Sequence, residues 1–281
     1  MNLSPVAYGC WRFATNTFQQ ADRLIRTALD AGLSTIDTAD IYGMDAPGGF
    51  GSAEALLGEV LAAEPALRGR MQLLTKGGIT PPRPYDSSRG YLMGALEHSL
   101  RRLGVERVDL YQIHRPDLTT PMAELAATLD AMVENGKVAA VGVSNFTPGQ
   151  TRALRAHLQA PLATLQPEFS ALEQGALTDG TLDLAEEIGA CVLAWSPLGG
   201  GQLFREDGAV QAALSRIAEE RGLTLTQAAL AFTRSTGGQV VPIIGTQTPA
   251  RVEEAAGAMG VRLSAREFYD VVEAYRGAPM P

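Results

Sequence analysis

The sequence predicts an α/β fold, a single (β/α)8 TIM barrel built by residues 1–281 as one domain. Three observations lead there. Short β-compatible runs alternate with apolar stripes at helical spacing along almost the whole chain. The stretch between successive runs is too short for anything but a parallel βαβ unit, and about eight such runs follow one another. The rival, an open doubly wound sheet, would carry a G-x-G-x-x-G turn after its first strand. Here Gly49-Phe50-Gly51 is followed by Ser52-Ala53-Glu54, and no strand precedes it.

The first strand is expected over 6–10. Ala21, Leu24, Ile25, Ala28 and Leu29 repeat at helical spacing, Gly32 stops that helix, and a strand follows over 34–36, ending at Asp37. The grammar recurs with Leu56, Leu57, Val60 and Leu61, then a strand over 71–75 ending in Lys76 and a Gly77-Gly78 turn. Leu92, Leu96, Leu100 and Leu103 lead to a strand over 108–113 ending at His114. Met122, Leu125, Leu129, Met132 and Val133 lead to a strand over 138–143 ending at Ser144-Asn145. Further strands fit 164–166, 191–195 and 240–244. Thr120-Pro121, Thr147-Pro148 and Thr248-Pro249 read as N-caps followed by proline in the first helical position. A last short helix is expected over 267–275, and 277–281 form a tail.

The balance of 23 basic against 31 acidic residues, a net charge of -8, argues against a nucleic-acid or anionic-membrane surface. Cys10 and Cys191 form no metal pattern and lie in apolar runs, where buried reduced thiols are expected. No apolar run reaches about 18 residues and the first residues lack a secretory pattern, so a cytoplasmic protein is expected.

Barrel chemistry sits at the C-terminal ends of strands. Those ends carry Asp37 with Tyr42 in its loop, then Lys76 and His114. Tyrosine, with an ordinary pKa near 10, is a poor acid, and an adjacent ammonium lowers that value. Lys76 can act so on Tyr42, and Asp37 on the neighbouring strand can keep a buried Lys76 charged. His114 supplies an imidazole to orient a substrate oxygen. Singly, each would more often be an ion pair or a satisfied core group; four together read as a proton-handling set. His98 and His157 lie in helical patterns and receive no role.

These residues resemble the aldo-keto reductases. The resemblance rests on "LSTIDTADIYG", "LLTKGGI", "SLRRLGVERVDLYQIHRPD", "NGKVAAVGVSNF", "LQPEFS", "AWSPLGGG" and "VVPIIGT", in the family's order. It implies a metal-free, nicotinamide-dependent reductase of aldehydes or ketones with the tetrad Asp37, Tyr42, Lys76 and His114. Tyr42 would protonate the carbonyl oxygen, Lys76 and Asp37 would tune it, and His114 would position the substrate. The same resemblance puts Ser144, Asn145 and Gln166 on the nicotinamide carboxamide and Trp195 against the ring. It puts Ser196, Leu198 and Gly200 at the pyrophosphate, and Gly245, Thr246, Gln247, Arg251 and Glu254 around the adenosine end. Arg251 suits a 2′-phosphate, so NADP(H) is the preferred cofactor and NAD(H) the alternative.

This chain departs from better-known members by lacking a lysine just after the last strand, and Arg205 is a candidate replacement cation. Trp11 would line the mouth for a small-molecule carbonyl substrate, and the brief loops imply an open site; no nucleic-acid or membrane partner is expected. A nucleotide-binding regulatory subunit is one rival. A metal-dependent hydrolase using His114, Asp117 and Glu168 is another, disfavoured because only one histidine stands at a strand end.

Overall fold

The computed structural model describes residues 1–205 and 207–281. Its strands are β1 (Ala7–Gly9), β2 (Thr35–Asp37), β3 (Gln72–Gly77), β4 (Val108–Ile113), β5 (Val138–Ser144), β6 (Leu162–Gln166), β7 (Cys191–Ala194) and β8 (Val240–Ile244). They run parallel in sequence order, and β1 closes the ring on β8 through the pairs Ala7↔Ile243 and Tyr8↔Ile244. Closure removes the unpaired sheet edge that a doubly wound alternative would leave.

Around the barrel lie α1 (Phe18–Asp30), α2 (Ser52–Ala63), α3 (Arg89–Leu103), α4 (Met122–Glu134), α5 (Pro148–Arg155), α6 (Thr181–Ile188), α7 (Ala209–Arg221), α8 (Leu225–Arg234), α9 (Pro249–Ala256) and α10 (Ala265–Arg276). In α1 the expected stripe of Ala21, Leu24, Ile25, Ala28 and Leu29 is the buried face. Each Leu or Ile so buried contributes about 1.5–3 kcal/mol relative to exposure. The connection from β7 to β8 holds two helices, α7 and α8, where the sequence shows only a helical pattern.

The apolar interior divides into two clusters. One lies between strands and helices; the other, with Leu74, Leu110, Leu193, Val241 and Ile243, is the barrel's own filling. Because side chains alternate along a strand, Lys76 follows Leu74 on the inward face, and Gln112 and His114 follow Leu110. The lumen therefore changes from apolar floor to polar mouth along the strands.

Two of the three Thr-Pro pairs start helices as expected, and at Thr147 the side chain also accepts from Gln150 N–H in a capping box. Thr248 holds the cap position of α9 without a side-chain cap bond. Thr120 is not a cap, because Pro121 occupies that place and the Thr120 hydroxyl donates to Asp117 Oδ2 at 2.7 Å instead. The last helix starts at Ala265 because Ser264 and Glu267 close their own capping box, two residues before the expected start. Both cysteines are buried and free.

Candidate active site

β2 and β3 set Asp37 and Lys76 side by side, and the loop after β2 folds Tyr42 back over them. Lys76 is fully buried, and its Nζ donates to Asp37 Oδ2 at 2.7 Å and to the Thr38 carbonyl at 2.9 Å. Its remaining hydrogen bond, to the Tyr42 hydroxyl, is also 2.9 Å. Burial alone would strip the lysine of its proton, but Asp37 and Tyr42 outweigh it and lift Lys76 to about 12. The ammonium is therefore permanent at neutral pH.

Tyr42 corrects an expectation. Burial pushes the phenol up, the Lys76 ammonium pulls it down, and Asp37 adds a further upward push, leaving it above the ordinary tyrosine value. Lys76 acts in the expected direction, but desolvation of a side chain only 8% exposed wins. The resting group is a protonated phenol.

His114 stands edge-on to Tyr42 with ring centroids 5.6 Å apart, and Trp11 does the same from the solvent side at 5.2 Å. Burial, then the charges of Lys76 and Arg115, hold the imidazole well below its usual range. It is neutral through physiological pH. Trp11 is 64% exposed and overhangs the phenol at the mouth.

The residues at the ends of β5, β6 and β7 interlock. Ser144 Oγ donates to the Gln166 carbonyl at 3.0 Å and accepts from Asn145 Nδ2 at 2.8 Å. Asn145 Nδ2 also reaches the His114 carbonyl at 3.2 Å, and its Oδ1 accepts from Trp195 Nε1 at 3.0 Å. Asn145 and Ser196 adopt left-handed backbone, with φ of 59° and 51°, costly for residues with a Cβ and typical of functional loops. The chain then passes Leu198 into Gly199, Gly200 and Gly201, all at positive φ, and a Cβ on Gly200 would meet nothing within 4 Å. That open glycine turn beside Trp195 suits the close approach of a pyrophosphate.

The adenosine-end candidates gather after β8. The Thr246 carbonyl accepts from Tyr8 at 3.1 Å, and Gln247 is tied by Asn16 at 2.5 Å and by its own bond to the Gly245 carbonyl at 3.0 Å. Gln247 is thus a loop brace as well as a candidate contact. Among the described residues Arg251 forms no side-chain ion pair, and it is exposed in the first turn of α9 with Glu254 one turn on. Arg205 donates to the Gly200 carbonyl at 3.2 Å, within the glycine turn. Beside the β8 loop stands Arg12, which sequence reasoning missed: its Nη1 lies 3.9 Å from where a Gly245 Cβ would sit. Arg115 was missed too, and its guanidinium lies 6.0 Å from the Trp195 ring centroid.

The metal-hydrolase set does not assemble. Asp117 accepts from the Ser87 N–H, the Thr119 N–H and hydroxyl, and the Thr120 hydroxyl. Although burial works the other way, these bonds bring Asp117 down to about 2. Among the described residues no group of three His, Cys, Asp or Glu side chains is placed to hold a metal.

Behind the site, Glu54 on α2 is fully buried and takes Arg102 Nε at 2.8 Å, Arg102 Nη2 at 2.7 Å and the Thr75 hydroxyl. Its neighbour Asp40, 1% exposed, has no side-chain hydrogen-bond partner on either oxygen among the described residues. Burial and the Glu54 charge push Asp40 well above the usual carboxylate range, against Arg102, the Ile41 N–H and Lys76. A carboxyl raised on folding costs stability as pH rises from the ordinary value of 3.8 towards its folded value. Asp40→Asn is therefore expected to stabilise the protein by roughly 1–3 kcal/mol at pH 8 and by less at pH 5. Urea denaturation at the two pH values checks this; an equal or reversed difference would oppose it.

The Aldo/keto reductase family model matches residues 5–276. The chain belongs to the aldo/keto reductase family. Its class of reaction is the NAD(P)H-dependent reduction of carbonyl groups. Two relatives are each named 6-dehydroglucose reductase. That of Novosphingobium aromaticivorans is 50% identical over 99% of this chain and 94% of the relative. That of Agrobacterium fabrum is 37% identical over 96% of this chain and 94% of the relative. The aldo/keto reductase of Klebsiella pneumoniae, solved with NADP and acetate, superposes with a TM-score of 0.84 at 26% identity, covering 99% of this chain and 93% of that one. No helix among the described residues is long and apolar enough to cross a membrane.

Proposed function

We propose that the chain reduces the aldehyde of a 6-dehydroglucose-like sugar with NADPH, with Tyr42 as the proton donor. The observation that carries this is the Asp37–Lys76–Tyr42 chain, with its phenol protonated and within reach of the barrel mouth. The carbonyl carbon would take its hydride from the nicotinamide when that cofactor is bound. Tyr42 gives its proton to the carbonyl oxygen, and Lys76 at 2.9 Å stabilises the phenolate left behind. Neutral His114 and the Trp11 edge orient the carbonyl beside the phenol. The relatives' name supports the sugar aldehyde as substrate; neither it nor the family match supports the regulatory-subunit reading.

In this reading Ser144, Asn145, Gln166 and Trp195 hold the nicotinamide, and Ser196, Leu198 and Gly200 the pyrophosphate. Gly245, Thr246, Gln247, Arg251 and Glu254 hold the adenosine end, with Arg251 on the 2′-phosphate. The whole chain acts as one barrel domain in the cytoplasm. Arg251→Gln is expected to weaken NADPH about tenfold, the worth of one charged hydrogen bond, and to leave NADH unchanged. Fluorescence titration with each nucleotide checks it; equal losses would remove Arg251 from the 2′-phosphate. Turnover of 6-dehydroglucose, set against glucose and simple aldehydes by NADPH absorbance, tests the substrate class. A preference for the simple aldehydes would oppose it.

A further inference from the structure

Across the barrel strands from Lys76, with Gln112 its register partner on β4, stands a second set of polar groups. Gln112, fully buried on β4, lies with Nε2 3.5 Å from Asp37 Oδ1, and its Oε1 accepts from Thr164 Oγ1 at 3.1 Å. Gln166 Nε2 donates to the same Asp37 oxygen at 3.1 Å. The carboxylate is thus divided, with Oδ2 given to Lys76 and Oδ1 to two amides.

The strand between them is shaped for this. Gln112, Gly142 and Thr164 stand in register on β4, β5 and β6. A Cβ on Gly142 would sit 2.1 Å from Thr164 Oγ1 and 3.1 Å from Gln112 Cγ, so only glycine lets the bond pass across β5. A buried amide without such partners would cost stability, and here Thr164 fixes which way the Gln112 amide points.

We propose that Gln112, anchored by Thr164 across Gly142, acts with Gln166 as a positioning residue for the Tyr42 proton transfer, through Asp37 and Lys76. This rests on the reading of Tyr42 as the acid. The titratable groups facing Tyr42 are Lys76, Asp37, Cys10 and His114. Lys76 and Asp37 act on it with opposite sign, so the balance between them sets how readily the phenol gives up its proton. Amide donors at Oδ1 disperse the Asp37 charge and keep Oδ2 turned to Lys76. Without Gln112, more of the carboxylate field reaches Tyr42, and the phenol becomes a weaker acid.

The test is Gln112→Leu and the near-isosteric Thr164→Val, each assayed for carbonyl reduction across pH and for NADPH affinity by fluorescence. In Gln112→Leu, kcat is expected to fall roughly tenfold, the share of one hydrogen bond to a charged group. NADPH affinity should stay within about twofold, since Gln112 is proposed to act only through Asp37. The alkaline limb of kcat moves to higher pH. Thr164→Val gives a smaller change in the same direction, and it decides the matter if Gln112→Leu does not fold. An unmoved alkaline limb in folded protein, with or without a loss of rate, overturns the inference. Tyr42→Phe separates the two readings. Turnover retained in that variant sinks the Tyr42 assignment itself, whereas its loss beside unaltered Gln112→Leu and Thr164→Val profiles sinks only this inference.

Discussion

Tyr42→Phe is expected to lower kcat for carbonyl reduction by about a thousandfold, the middle of the range for a positioned general acid. NADPH binding should remain within a factor of about two, because the hydroxyl is bonded to Lys76 and is proposed to meet the substrate oxygen, with no contact to the nucleotide. The phenol is held protonated by burial, and among the described residues its single side-chain bond runs to Lys76. Phenylalanine keeps the ring contacts with Trp11 and His114, so the loss isolates the proton. Parallel loss of NADPH affinity would mean that the loop after β2 had collapsed and would leave the proton role unsupported.

Lys76→Met carries the second large effect, and it falls on stability as well as rate. Asp37 is 2% exposed, and removal of its ammonium leaves a buried carboxylate with only amide partners. Breaking a buried pair from one side costs about 3–5 kcal/mol. The double variant Asp37→Asn/Lys76→Met removes both charges and should recover more than about half of that loss. Urea denaturation of the single and double variants decides it. If Lys76→Met lies within about 1 kcal/mol of the wild type, the pair is not the buried, desolvated unit described here.

The barrel was legible because its signal is local. β4 and β8 fall where the apolar runs do, and α1 buries the stripe its spacing marks. The gathering of Asp37, Tyr42, Lys76 and His114 was legible because each stands at a strand end or in the loop that follows. Thr120 misled because its competitor, the Asp117 carboxylate, takes the hydroxyl that a cap would need. Arg12 could not be found without the closure of β1 on β8, which sets residue 12 beside residue 245. Gln112 and Gly142 did leave a trace, a polar residue and a glycine inside otherwise apolar strands, but their meaning depends on Thr164, a partner 52 residues from Gln112. The net shift of Tyr42 depends on depth of burial against distance from a charge, and neither quantity is written in residue spacing.

The most direct test of Tyr42 as proton donor is the pH dependence of the single-turnover rate of NADPH oxidation with a saturating aldehyde. Burial raises Tyr42 above the ordinary tyrosine value and holds His114 well below the ordinary histidine value. The rate is therefore expected to show no break between about pH 7 and pH 9, falling only as the phenol loses its proton in more alkaline solution. A fall with an apparent pKa near neutrality would assign the proton to an imidazole, and the Tyr42 mechanism would not stand.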